Sequence, residues 1–146
     1  MQNVETQESE RYGIGMSVME ISETIRYIGV KDRDIDLFES QYVVPEGITY
    51  NSYLILDDKT ALMDTVDSGK TEIWLENLKT ELKGRKPDYL VISHMEPDHA
   101  GSIAAVAAEY PEMVLVGNAK TFAMLPQFFA INLEDRILVV TEGQEL

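Results

Sequence analysis

One stretch of this sequence reads Ser93-His94-Met95-Glu96-Pro97-Asp98-His99. It follows the short apolar run 89–92, which is typical of a strand covered on both faces. Both histidines of the chain lie in it, together with a glutamate and an aspartate. Side chains of these types, gathered in a loop after a buried strand, predict a binding or catalytic site on an α/β framework.

The spacing within this loop indicates metal ligands. Residues i and i+2 of an extended segment project to the same side, so His94 and Glu96 can meet one metal ion. Pro97 then turns the chain, and we expect the adjacent Asp98 and His99 to address a second position nearby. Two imidazoles and two carboxylates suit iron or manganese and also accept zinc. A plainer alternative is that Asp98 caps the following helix and the histidines are ordinary loop residues.

The segments before the loop predict antiparallel strands. Val18–Ile21 and Thr24–Val30 are short β-prone runs around two polar residues, which predicts a hairpin. Tyr50–Leu56 and Ala61–Val66 flank a short polar turn and predict a second hairpin.

Beyond residue 68 the apolar residues recur at helical spacing, and helices then alternate with strands. This order predicts mixed α/β layers. The predicted elements are a helix from Trp74 to Leu82 stopped by Gly84, a helix from Gly101 to Glu109, a strand at Met113–Val116, a helix capped by Asn118 and ended or kinked by Pro126, and a strand at Arg136–Val140.

Composition limits the class of protein. The 146 residues are 45% hydrophobic, which is ample for the core of one domain. The net charge is −14, so we expect neither nucleic acid nor an anionic membrane as a partner. No cysteine is present, which excludes disulfides and thiolate ligands within the chain. We expect residues 1–16 to be a flexible extension and residues 17–146 to form the domain. We also expect the protein to be cytoplasmic, since no signal-like or long apolar run occurs.

The loop resembles the metal loop of the metallo-β-lactamase superfamily. Its pattern is His94-x-Glu96-x-Asp98-His99 followed by Ala100-Gly101-Ser102, and the superfamily's usual form is His-x-His-x-Asp-His. The glutamate in place of the second histidine is similar to flavodiiron proteins. Segments 27–30, 49–55 and 61–66 carry further resemblance, which extends over about residues 18–140.

The resemblance implies a four-layer αββα sandwich of which only the N-terminal half is present. It also implies a non-haem di-iron site that reduces dioxygen to water or nitric oxide to nitrous oxide. His94 and Glu96 would ligate one iron, and Asp98 and His99 would face the other, although family members vary at the position of His99. Asp64 would support the loop through hydrogen bonds rather than bind iron.

The resemblance further implies that parts of the family's protein lie outside this chain. The remaining iron ligands, two histidines and a bridging carboxylate, come from the second half of the domain, and FMN is held by a flavodoxin-like domain. No histidine follows His99, so we expect a truncated, excised or split protein that is inactive alone. The expected partners are a complementary C-terminal half or a second copy on the exposed sheet face, and a rubredoxin-like or flavin-linked electron donor.

Two alternatives stay open. One is a metal-dependent hydrolase of the same superfamily, in which a metal-bound hydroxide attacks an ester or amide. Glu96 weakens that alternative, because an all-histidine first site is commoner for zinc hydrolysis. The other is a non-catalytic chain whose main behaviour is self-association.

Overall fold

The computed structural model of the chain describes residues 18–146. The predicted flexible extension, residues 1–16, lies outside them, as does residue 17, where the predicted domain begins. The described strands are β1 (Met19–Glu20), β2 (Ile25–Tyr27), β3 (Val30–Asp32), β4 (Leu37–Phe38), β5 (Tyr42–Val43), β6 (Ile48–Tyr50), β7 (Tyr53–Leu56), β8 (Thr60–Met63), β9 (Tyr89–Val91), β10 (Val114–Gly117) and β11 (Ile137–Val139).

The helices follow the predicted order. The left-handed backbone that stops the first of them lies at Lys83, one residue before the predicted Gly84. The Asn118 side chain accepts a hydrogen bond from the Thr121 N–H and so caps the last helix, which continues two residues beyond Pro126. The α-helices are α1 (Thr71–Leu82), α2 (Pro97–Ala100), α3 (Ile103–Glu109) and α4 (Ala119–Phe128), and 3-10 turns lie at Ser68–Lys70 and Glu134–Arg136.

Seven strands form one sheet in the order β1-β2-β7-β8-β9-β10-β11. The pairs β1–β2, β2–β7 and β7–β8 are antiparallel, which confirms the two predicted hairpins. The pairs β8–β9, β9–β10 and β10–β11 are parallel, because a helix or long connection separates each strand from the next. The mixed α/β prediction is therefore confirmed.

One face of this sheet carries the core. Leu54, Leu62, Leu90 and Leu115 lie in register on neighbouring strands and are fully buried. They belong to one cluster with the apolar sides of the helices, of which Trp74 in α1 is the largest member. Burying four leucines and a tryptophan removes several hundred square ångströms of apolar surface from water, at about 25 cal/mol per Å². The helices thus form a layer on this face.

The opposite face of the sheet is apolar as well. Its side chains alternate with the buried leucines, lie outside the core cluster, and are mostly only partly buried. One sheet layer with one helix layer is the predicted half of an αββα sandwich. The two rows on this face are Met19, Tyr27, Tyr53, Met63, Val91, Val116 and Leu138, and Ile25, Ile55, Ala61, Tyr89 and Val114.

The predicted strand Thr24–Val30 is interrupted in the structure. β2 ends at Tyr27, and Val30 begins β3, which pairs with β6 in a separate ribbon. Gly29 lies at the break, where a Cβ atom would overlap the carbonyl oxygen of Tyr50. The close approach of two backbones therefore requires glycine at this position.

None of the helices within residues 18–146 has the length and apolar character needed to cross a bilayer.

Candidate metal centre

The predicted metal loop connects β9 to α2 at the carboxyl edge of the parallel strands. Pro97 occupies the first turn of α2, where its missing N–H costs no hydrogen bond. The helical turn brings Asp98 and His99 back towards the start of the loop, next to His94.

Three of the four predicted ligands lie together. One ligand atom each from His94, Asp98 and His99 falls within 4.8 Å of the other two. The two imidazole rings have their centroids 4.3 Å apart, and His99 Nε2 lies 3.5 Å from Asp98 Oδ2. All three residues are partly buried.

Glu96 lies at the edge of this group. Its carboxylate is exposed, and Oε2 is 4.0 Å from His94 Nδ1. Its backbone N–H also donates a long hydrogen bond of 3.4 Å to the same nitrogen. The ligand atoms of Asp98 and His99, which the sequence pairs, lie close together, and His94 lies within the same group. The pairing of His94 with Glu96 stays a prediction.

Asp64 anchors the loop from the end of β8. Its Oδ1 accepts a hydrogen bond of 2.7 Å from the Ser93 N–H, and its Oδ2 accepts one from the Ser93 hydroxyl. The same Oδ2 lies 3.1 Å from His99 Nδ1. A carboxylate oxygen here accepts from an N–H on Nδ1, which is the arrangement in which a neutral His99 keeps the lone pair of Nε2 for a metal.

Asp64 also adopts a left-handed backbone, with φ of 57° at 9% exposure. This conformation costs about 1 kcal/mol or more in a residue other than glycine, although aspartate and asparagine tolerate it best. The three hydrogen bonds of the carboxylate offset that cost.

Two hydroxyl residues that the sequence did not single out hold the other end of the loop. The Thr65 N–H and hydroxyl both donate to the His99 carbonyl oxygen, each over 2.8 Å. The Ser102 N–H donates to the Thr65 hydroxyl over 3.2 Å, and its own hydroxyl donates to the Val66 carbonyl over 3.0 Å. Thr65 and Ser102 lie inside the segments that carry the family resemblance, which is the signal that marks them.

Asp98 provides a test of whether these residues fit a metal ion. Its Oδ1 is buried and has no hydrogen-bond partner among the described residues. An unpartnered carboxylate oxygen in the interior costs free energy unless a cation lies beside it. Two imidazoles and this carboxylate form the mixed N/O set that iron, manganese and zinc accept. The residues therefore fit a divalent metal.

The surroundings of Asp98 carry excess negative charge. Burial raises the pKa of Tyr50, and a hydrogen bond of 2.8 Å from its hydroxyl to Asp32 raises it further. The charges of Asp67 and Asp98 act in the same direction. Lys70 is the cation that lies against this group, 3.5 Å from Asp32 Oδ1. A negative potential of this kind favours a bound cation.

A cavity of about 420 Å³ lies beside the metal loop. The loop forms one wall, and the N-terminal part and far end of α4 form the other. Apolar side chains alternate there with polar ones, among which Glu96 and Lys120 carry opposite charges. The lining residues are Ser93, His94, Met95, Glu96, Pro97, Asn118, Lys120, Thr121, Met124 and Phe128.

Comparison with known proteins identifies the fold. A sequence model of the metallo-beta-lactamase superfamily matches residues 46–143. The anaerobic nitric oxide reductase flavorubredoxin of Aliivibrio salmonicida is 37% identical over 92 residues, which are 62% of this chain and 18% of that protein. The chain thus spans about a fifth of the length of the curated relatives it matches.

Two solved structures extend the match over most of the chain. Rubredoxin oxygen:oxidoreductase from Desulfovibrio gigas is similar with a TM-score of 0.80 at 28% identity, over 88% of this chain and 32% of that one. A diflavin flavoprotein fragment of residues 1–254 from Nostoc sp. PCC 7120 has a TM-score of 0.76 at 27% identity, over 89% of this chain and 51% of the fragment. The chain belongs to the metallo-beta-lactamase superfamily, in which it corresponds to the N-terminal half of the domain that flavodiiron proteins carry.

Proposed function

We propose that this chain supplies one half of the ligands of a non-haem di-iron centre in a flavodiiron oxidoreductase. The observation that carries the proposal is the group of His94, Asp98 and His99 with an unpartnered, buried carboxylate oxygen. His94, Glu96, Asp98 and His99 are the proposed ligands, and Asp64 is the residue that orients His99. The substrates are dioxygen, reduced to water, and nitric oxide, reduced to nitrous oxide.

The chain's own residues have three tasks in this proposal. Asp64 keeps the proton of His99 on Nδ1, so that Nε2 faces the metal. Thr65 donates a hydrogen bond to the backbone carbonyl of His99 and thereby fixes the backbone position from which the imidazole ring extends. The side chains of Met124 and Phe128 give the adjoining cavity an apolar part that suits a diatomic molecule. The iron that these residues would hold would supply the electron-transfer chemistry.

The same proposal assigns the missing ligands and FMN to parts of the family's protein outside this chain. The apolar sheet face, with Tyr53, Met63 and Val91 at its centre, takes either the complementary half of the domain or a second copy. An electron donor of the rubredoxin or flavin-linked kind completes the assembly. The uncovered face also supports the alternative of a chain that only self-associates.

Hydrolysis at the same loop is the second candidate, because the superfamily model that matches the chain takes its name from hydrolases. A metal ion on His94 and His99 would then activate water rather than bind a diatomic molecule. Esterase and lactamase activity in the zinc-loaded chain is the measurement that favours this candidate.

The test uses the chain reconstituted anaerobically with ferrous iron, with and without the complementary half of the domain from the D. gigas relative. We expect consumption of dioxygen or nitric oxide, driven by a chemical reductant, only when both parts are present. His94→Ala combined with Glu96→Ala should abolish it, whereas Glu112→Gln, an exposed acid paired with Lys86, should not. Turnover that survives the double substitution contradicts the proposal, and so does the absence of turnover in a well-formed complex.

A further inference from the structure

We infer that Ser52 and Trp74 are positioning residues for the metal loop, although neither of them lies in it. Their side chains form a buried hydrogen-bond network that ends on the peptide group between Asp64 and Thr65. That peptide group in turn holds the backbone of His99. The inference deepens the proposed function and rests on it, since a correctly placed His99 matters for the metal ion that it would bind.

The hydrogen-bond network runs from α1 through the interior to the end of β8. The indole Nε1–H of Trp74 donates to the Ser52 hydroxyl over 3.0 Å, and this hydroxyl donates to the carbonyl oxygen of Asp64 over 2.9 Å. An indole N–H can only donate, so it occupies a lone pair of the Ser52 oxygen and leaves the hydroxyl proton for Asp64. Trp74 and Ser52 are both 0% exposed, so a donor or acceptor left without its partner here would cost free energy.

A planar peptide group carries this constraint to the metal loop. The carbonyl of Asp64 and the N–H of Thr65 belong to one peptide unit, whose atoms share a plane. The N–H donates to the carbonyl oxygen of His99 over 2.8 Å, so Ser52 on one side and His99 on the other fix the orientation of the unit. A tilt of this unit would therefore displace the backbone of His99, and the imidazole ring with it.

Asp64 is held from three sides at this point. Its N–H donates to the carbonyl of Val91 in β9 over 2.9 Å, and its own carbonyl accepts from Ser52. Its carboxylate accepts from the Ser93 N–H over 2.7 Å and lies 3.1 Å from His99 Nδ1. Because a left-handed φ of 57° is unfavourable for a residue other than glycine, these contacts maintain the conformation that aims the carboxylate at the loop. Loss of the Ser52 hydrogen bond removes one of the three.

The test compares two variants that break the network at different points. Ser52→Ala removes the donor to Asp64 and also leaves the Trp74 indole without its acceptor, whereas Trp74→Phe removes only the outer hydrogen bond. Leu78→Val is the matched control, because Leu78 is fully buried in the same helix and its side chain forms no hydrogen bond. Amide hydrogen exchange is measured on the metal-free 146-residue chain, followed by competition for zinc against a chromophoric chelator.

In Ser52→Ala, exchange of the Thr65 amide should accelerate about tenfold more than that of the Ile92 amide, which is bonded within the sheet. Tenfold corresponds to about one hydrogen bond. Trp74→Phe should give a smaller excess, and Leu78→Val none, because a loss of global stability does not act on Thr65 in particular. Zinc affinity should fall about tenfold in Ser52→Ala, as for a group that orients a ligand, and by less than about twofold in Leu78→Val.

Equal acceleration of the Thr65 and Ile92 amides in Ser52→Ala overturns the inference, and so does a zinc affinity equal to that of the wild type. A loss of zinc affinity in Leu78→Val as large as in Ser52→Ala overturns it too, because lost stability would then explain both. Selective acceleration at Thr65 in a protein whose wild type binds no zinc would support the placement of the His99 backbone by Ser52 and would contradict the proposed function alone.

Discussion

Replacing Asp64 with asparagine changes one atom of the carboxylate that joins both ends of the metal loop. Asparagine tolerates the left-handed backbone at this position nearly as well as aspartate, so the substitution adds little strain. One oxygen remains to accept the 2.7 Å hydrogen bond from the Ser93 N–H. The amide NH₂ then faces His99 Nδ1, which lies 3.1 Å from the oxygen it replaces.

This exchange alters the tautomer of His99. An NH₂ group can only donate, so Nδ1 must accept, and the proton moves to Nε2, the nitrogen that should face the metal. Loss of such an outer-shell partner costs about 10- to 100-fold in metal affinity. That range equals about 1.4–2.8 kcal/mol, since each 1.4 kcal/mol is tenfold. The free energy of unfolding should fall by only about 1 kcal/mol, because charged hydrogen bonds become neutral ones without leaving a gap.

The measurement is competition for zinc against a chromophoric chelator, with urea unfolding of the apo protein in parallel. Asp57→Asn is the matched control, because that carboxylate accepts a hydrogen bond from the Asp58 N–H and lies outside the group of three ligands. Metal affinity equal to the wild type in Asp64→Asn would refute the role assigned to Asp64. A loss of affinity that merely follows a large loss of stability would refute it too.

Two further predictions concern the framework. Leu90→Ala should lower the free energy of unfolding by about 3 kcal/mol, because Leu90 faces the buried side of the sheet. Val91→Ala should lower it by about 1 kcal/mol or less, because Val91 faces the uncovered side. Equal losses in urea unfolding would contradict this assignment of the two sheet faces. The hydrogen bond from Lys70 lowers the pKa of Asp34, so its contribution to stability is present above about pH 4 and is lost as the pH falls through the lowered value. Lys70→Met should reduce the loss of stability that urea unfolding measures as the pH falls below about 4. An unchanged dependence of stability on pH would contradict the role of the Lys70–Asp34 hydrogen bond.

Local pattern was sufficient wherever neighbours in sequence decide the structure. The leucines after residue 71 define the buried side of α1, and the Asn118 cap follows from a side chain and an N–H three residues apart. The two hairpins are local for the same reason. The concentration of histidines and acids after β9 indicated the loop, and the resemblance it carries agrees with the family that the chain belongs to.

Contacts between distant residues decided the rest. Thr24–Val30 looks like one strand, but the approach of Tyr50 to Gly29 divides it between two sheets. The buried ends of the loop depend on Asp64 and Thr65, which lie about 35 residues earlier and could not be paired with it from spacing alone.

By itself, the sequence determined the residue types of the site, the mixed α/β order and the apolar character of both sheet faces. Only the tertiary structure decided which side chains lie together, because Pro97 begins a helical turn that brings Asp98 and His99 next to His94. It also decided which apolar face the helices cover, because each strand alternates its side chains between the two faces and only packing selects one.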